Sequence, residues 1–128
     1  MGALTYEYLG NRDLRDAKVL LQSDSYSQAG RLAQQAVEKH LKYFIENNGS
    51  TEDYRLLSIH STVKLYDRVA ELNGVEFDND DRKMMSVLKD YYYDFNYPGE
   101  ECRELNPREA AEALEFAENF INKIKGGY

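Results

Sequence analysis

The stretch YSQAGRLAQQAVEKHLKYFIENNGS, Tyr26–Ser50, decides the fold. Tyr26, Ala29, Ala33, Ala36, Val37, Leu41, Phe44 and Ile45 recur in it at steps of three and four, the repeat of one helix face and not of a strand. Ala29, Gly30, Ala33 and Ala36 crowd its first half, where their small size permits close approach of a neighbouring helix. The segment runs into ENNGS, and Gly49 is expected to end it as a left-handed C-terminal stop.

The flanks keep the same period. Leu14, Ala17, Leu20 and Leu21 predict a helix from about Asn11 to Gln22, broken by SDSYS. STEDYRLLSIHS reads as a loop leading to a third helix, with Ser61 as N-cap and Val63, Tyr66, Val69 and Leu72 on its buried face. After NGVEFDNDD, a fourth helix from about Asp80 to Tyr93 carries Met84, Met85, Leu88, Tyr91 and Tyr92. N-P-R-E then opens the last helix: Asn106 caps, Pro107 takes the first helical position, and Glu109 completes a capping box. Ala110, Ala113, Leu114, Ala117, Phe120, Ile121 and Ile124 form its stripe. No useful period-2 alternation occurs. The expected fold is all-α, an antiparallel bundle of about five helices: a four-helix up-and-down core plus a short extra helix. Residues 1–128 read as one domain, with its core at about 11–124 and a flexible tail at 125–128.

Composition narrows the function classes. Hydrophobic residues make up 42% of the chain and charged residues 30%, as in ordinary globular proteins. No apolar run approaches the roughly 20 residues that cross a bilayer. MGALTYEYLG has neither a basic n-region nor an apolar h-region, so a cytoplasmic location without membrane association is expected. The single cysteine, Cys102, excludes an internal disulfide. A net charge of −7 opposes a broad phosphate-binding face, although a local basic pocket remains compatible with it.

Chemistry-bearing residues concentrate in DYYYDFNYPGEECRELN, Asp90–Asn106. Tyr91 and Tyr92 fall at helical spacing with Leu88 and Met84, which suits packing. Tyr93 and Tyr97 flank Asp94 and Asn96 and suit either a base-stacking groove or a protein surface. Tyr97-Pro98-Gly99 ends the helix, because a residue before proline avoids helical geometry. Glu100, Glu101 and Glu104 read as a solvated loop. His40 sits at the edge of the second helix's apolar stripe with no histidine at i+4, so no helical metal pair exists, and no cofactor motif is present.

Four segments taken in order resemble the HEPN family (higher eukaryotes and prokaryotes nucleotide-binding domain). These are A-x-x-A-V-E-K-x-L-K at Ala33–Lys42, HSTVKLY at His60–Tyr66, YYYDFNYPGEE, and PREAAEALEFAENFINKI. The resemblance covers about residues 11–124. It implies an antiparallel bundle that dimerises, an implication the small-residue face of the second helix supports. It also implies a functional class. Many HEPN proteins are metal-independent ribonucleases, often toxins paired with a small nucleotidyltransferase antitoxin, while others bind nucleotides or partners without catalysis. The ribonuclease signature is Arg, four to six residues, then His: the histidine for acid–base work on the 2′-hydroxyl and leaving oxygen, the arginine for phosphate charge.

This sequence departs from that signature. Asn96 occupies the arginine position, and Glu100, Glu101, Cys102 and Arg103 follow without a histidine. An amide cannot neutralise a developing phosphorane. A literal Arg-x4-His lies elsewhere, Arg55 to His60, where His60 equally suits packing or capping at the start of the third helix. The sequence therefore favours a non-catalytic, homodimeric module binding a nucleotide, RNA or partner protein, as one half of a toxin–antitoxin-type pair with a nucleotidyltransferase. Its groove would be lined by Tyr93, Asn96, Tyr97, Glu100 and Arg103. The alternative is a metal-independent endoribonuclease with a non-standard residue set, Arg55 and His60 or Arg103 and Tyr97.

Overall fold

A computed structural model describes residues 4–96 and 104–127, with backbone alone at 94–96. All its regular elements are helical. They are α1 (Tyr6–Gln22), α2 (Tyr26–Asn48), a 3-10 helix η1 (Thr51–Ser58), α3 (Thr62–Glu71), α4 (Asn79–Asn96) and α5 (Pro107–Lys125). Contacts between the helices show antiparallel packing. Gly10 meets His40 across α1 and α2, Arg82 binds Asp67 across α3 and α4, and Lys123 binds Asp81 across α4 and α5. Among the described residues no helix is long and apolar enough to cross a membrane.

Helix α2 is the axis, and α1, η1, α3, α4 and α5 all pack on it. The stripe read from its sequence is buried from Ala29 to Ile45, with Tyr26 half-buried at its start, and α5 buries all seven residues of its own stripe. The core joins Val37, Leu41 and Phe44 of α2 to Leu65, Tyr66 and Val69 of α3, Leu88 of α4 and Phe120 of α5. Ser61 caps α3, and Asn106 with Glu109 forms the expected capping box on α5.

Several local expectations are corrected. Helix α1 begins at Tyr6 rather than Asn11, because Thr5 accepts a hydrogen bond from the Tyr8 amide at 3.0 Å and caps it there. The expected loop after α2 contains η1, opened by a capping box between Ser50 and Asp53. Gly49 is not left-handed: its φ is −87° and its ψ 176°. Its lack of a side chain provides room instead, since a Cβ there would sit 2.8 Å from both the Asp53 Oδ2 and the Ile45 carbonyl oxygen. The small-residue face of α2 is consumed within the chain. Ala29, Ala33 and Ala36 are fully buried, and a Cβ on Gly30 would lie 2.2 Å from Leu105 Cδ1.

The left-handed stops fall on other residues, Asp24 (φ 61°) and Asn73 (φ 62°). Both complete Schellman closures. Ser25 N–H donates to the Leu20 carbonyl at 2.9 Å after α1, and Gly74 N–H to the Val69 carbonyl at 2.9 Å after α3. A left-handed backbone costs an L-residue about 1–2 kcal/mol, and glycine's greater chain entropy offsets about 0.5–1 of that. Asn73→Gly is therefore expected to raise Tm by a few degrees in thermal unfolding. Asp24→Gly gains less, because it deletes the 2.9 Å hydrogen bond from the Tyr26 hydroxyl.

His40 is fully buried, and its ring packs where a Cβ on Gly10 would approach its Cδ2 to 2.8 Å. Burial, with Lys125 adding repulsion, pushes its pKa from 6.5 down to about 4. An unfolded chain takes up this proton below pH 6.5, whereas the folded imidazole refuses it until about pH 4. The contribution is thus complete above pH 6.5 and is lost as pH falls towards 4. Tm measured across that window is expected to drop less steeply in His40→Gln than in the wild type, whatever the variant's starting Tm.

Candidate functional site

Gln34, Glu38 and Lys42 lie four residues apart on α2, so their side chains stack along one face of the helix. All three are buried. An ionised carboxylate away from water requires a counter-charge and hydrogen bonds, and Glu38 has both. Lys42 Nζ donates to its Oε2 at 3.1 Å and Gln34 Nε2 to its Oε1 at 3.0 Å.

The remaining partner comes from another element. His60 Nδ1 lies 3.3 Å from Glu38 Oε2. A carboxylate only accepts, so Nδ1 carries the hydrogen, and in the neutral ring Nε2 is left as an acceptor. His60 directly precedes Ser61, the N-cap of α3, and the segment that delivers it is pinned. Arg68 of α3 grips Asp53 of η1 with two bonds, Nε to Oδ1 at 2.8 Å and Nη2 to Oδ2 at 3.0 Å. Those bonds and the Ser50 amide hold the Asp53 carboxyl below the usual range.

One face of the imidazole lies on α4. The His60 and Tyr92 rings stack with centroids 4.4 Å apart and planes 14° from parallel. Tyr93 meets Tyr92 edge-on at 5.2 Å and 88°. The His60 side chain is 43% exposed and Tyr93 44% exposed, so a strip of three rings reaches the surface above a buried, charge-balanced base. Such a strip offers a π-face for stacking and one imidazole nitrogen for hydrogen bonding or proton transfer. Among the described residues no group of three His, Cys, Asp or Glu side chains is placed to hold a metal ion.

The residues singled out in the sequence divide three ways. His60 and Tyr93 belong to the ring strip. Arg55 is exposed on η1 and lines a separate cavity with Lys64 and Arg68, and among the described residues no hydrogen bond or ion pair joins it to His60. Asn96 closes α4, but its side chain lies outside the described residues, as do Tyr97, Glu100 and Arg103. Sequence reading missed Gln34, Glu38 and Lys42 as parts of a site. The available signal was a carboxylate and an ammonium at i and i+4, set among Val37, Leu41 and Ile45 where an unpaired charge would be costly. Tyr92, expected as packing, is half-buried and carries the stacked His60 ring.

The cluster draws together three of the four segments that carry the family resemblance: Glu38 and Lys42 from the first, His60 from the second, Tyr92 and Tyr93 from the third. Comparison with known proteins agrees. No curated protein matches the chain. Among solved structures, TT1696 from Thermus thermophilus is similar at 26% identity, with a TM-score of 0.77, over 96% of this chain and 95% of that one. The HEPN domain profile matches residues 9–127, and the chain belongs to the HEPN domain family.

Proposed function

We propose that this HEPN protein is a non-catalytic, dimeric binding module whose ligand is a nucleotide base stacked on the His60–Tyr92–Tyr93 strip. The exposed strip carries this reading, because an aromatic face accepts any base without the broad positive surface that a chain of net charge −7 lacks. It lies at the end of α4, just before Asn96 and Tyr97, the segment where relatives keep the catalytic arginine. Without an arginine and histidine there, the segment is suited to holding a base rather than cleaving a backbone. Dimerisation is proposed from family membership, since the small-residue face of α2 is used internally. A nucleotidyltransferase is the proposed protein partner, in a toxin–antitoxin-type pair.

A second reading has one observation in its favour. Glu38 fixes the Nδ1–H of His60 and leaves Nε2 for proton transfer, the arrangement a general base requires. This reading is a metal-independent endoribonuclease working through His60 with Arg55, or through Arg103 and Tyr97.

Titration of the intact protein with adenosine is expected to shift the His60, Tyr92 and Tyr93 ring resonances. Tyr93→Ala should weaken binding about tenfold, since base stacking is worth about 1–3 kcal/mol. Unchanged adenosine affinity in Tyr93→Ala would sink the proposal. Single-stranded RNA incubated with concentrated protein without metal should stay intact, whereas cleavage lost in His60→Ala would establish the second reading instead. Light scattering should return twice the 14.9 kDa chain mass.

A further inference from the structure

The connection from α3 to α4 and the end of α5 border a cavity of about 810 Å3. Glu76, Phe77 and Asp78 line it from the connection, and Lys123, Gly126 and Gly127 line it from α5. Its volume lies in the roughly 300–1,000 Å3 range of small-molecule sites. The shape is built into the fold. A Cβ on Gly127 would sit 2.6 Å from the Gly74 carbonyl oxygen, and one on Gly74 would sit 2.7 Å from the side chains of Phe44 and Val69. The hydroxyl of buried Tyr66 accepts from the Asp78 amide at 2.8 Å and donates to the Asp78 carbonyl at 3.2 Å, which pins the connection. Phe77 rests against the Tyr66 ring with centroids 5.8 Å apart, yet it is 52% exposed. A large apolar ring is thus held open to water on a fixed backbone.

The charge around that ring is negative. Glu76 is exposed and makes no hydrogen bond or ion pair among the described residues. Asp78 accepts the Asp80 and Asp81 amides through Oδ1, and no hydrogen bond among the described residues engages its Oδ2. Lys123, the cation of the lining, is paired with Asp81 at 2.9 Å and so cancels against it. Lys125, also at the end of α5, does not line the cavity. Gly126 and Gly127 follow the end of α5, where the helix dipole also favours a cation.

We infer that this cavity binds an aliphatic diamine, its alkyl chain on the Phe77 ring and its two ammonium groups at Glu76 and Asp78. The two carboxylates belong to residues at most about 7 Å apart along the backbone, within reach of a short alkyl chain. An aromatic face attracts an organic ammonium and adds nothing for a hydrated metal ion, which needs converging oxygen ligands. The site is independent of the stacking reading, because Asp78 precedes α4 and Tyr92 lies roughly 20 Å further along its axis.

Titration of the full chain with putrescine, n-butylamine and Mg2+ at constant ionic strength tests this. Putrescine should shift the Glu76, Phe77, Gly126 and Gly127 amide resonances and leave the His60 and Tyr93 rings unmoved. It should bind about tenfold more tightly than n-butylamine, which carries one ammonium for two carboxylates. E76Q/D78N should weaken putrescine about tenfold, and Asn at position 78 keeps an oxygen for the Asp80 and Asp81 amides. F77L keeps the apolar bulk and should weaken it about two- to fivefold by removing the π-face. E112Q/E115Q removes the same net charge from exposed positions on α5 and should change nothing. Equal affinity for n-butylamine overturns the diamine and assigns the cavity to a single ammonium such as a lysine side chain. Equal weakening in E112Q/E115Q, an equal response to Mg2+, or no shift at the cavity also overturns the inference.

Discussion

The interaction on which the rest of the molecule depends is the burial of an ionised side chain on a helix packed on almost all sides. Helix α2 lies within the bundle, yet carries Glu38 inside it, 3% exposed. A carboxylate in that position requires a positive partner, and removing one member of a buried pair leaves the other uncompensated at about 3–5 kcal/mol. Lys42 supplies the charge from the same helix. Gln34 and His60 complete the shell, and because His60 lies in the connection just before the α3 N-cap, satisfying Glu38 also fixes how the chain crosses from η1 into α3. The same requirement brings the imidazole onto Tyr92, linking α2, α3 and α4 around one charge.

The anchoring is redundant where it has to be. The Ser50–Asp53 capping box opens η1, and the same Asp53 then receives Arg68 from α3. A short 3-10 segment has poor internal hydrogen-bond geometry and few turns, so its position depends on such outside contacts. Here they hold Arg55 on one side of the connection and His60 at its end. The buried pair orients the histidine and the semi-exposed pair orients the cavity beside Arg55, so these two surfaces are set by neighbouring salt bridges.

Much of this is legible in the sequence where physics is local. The α5 stripe and its N-P-R-E start specify a helix without outside help, and α2 repeats its apolar spacing long enough to exclude a strand. The fold class follows from those two elements. What depends on distant partners is not legible. Glu38 and His60 are 22 residues apart, and no period connects them. Gly49 misleads because a glycine after a helix usually marks a left-handed residue, whereas here the neighbouring Asp53 carboxylate requires the space. The small residues of α2 suggest an external partner, but Leu105 and the chain's own helices fill that face. For the candidate site, the sequence identifies Tyr93 and His60 separately without showing that Tyr92 joins them.

The Schellman closure after α3 also bears on chemical ageing. Asn73-Gly74 is the dipeptide in which an asparagine most readily cyclises to a succinimide, by attack of the following backbone nitrogen on the side-chain carbonyl. In this fold that nitrogen is occupied: its hydrogen is donated to the Val69 carbonyl at 2.9 Å, and Gly74 is buried against Phe44 and Val69. The hydrogen bond that ends the helix also withholds the nucleophile. Native folding therefore protects this sequence from deamidation, and isoaspartate accumulating at position 73 would mark molecules in which the end of α3 had opened.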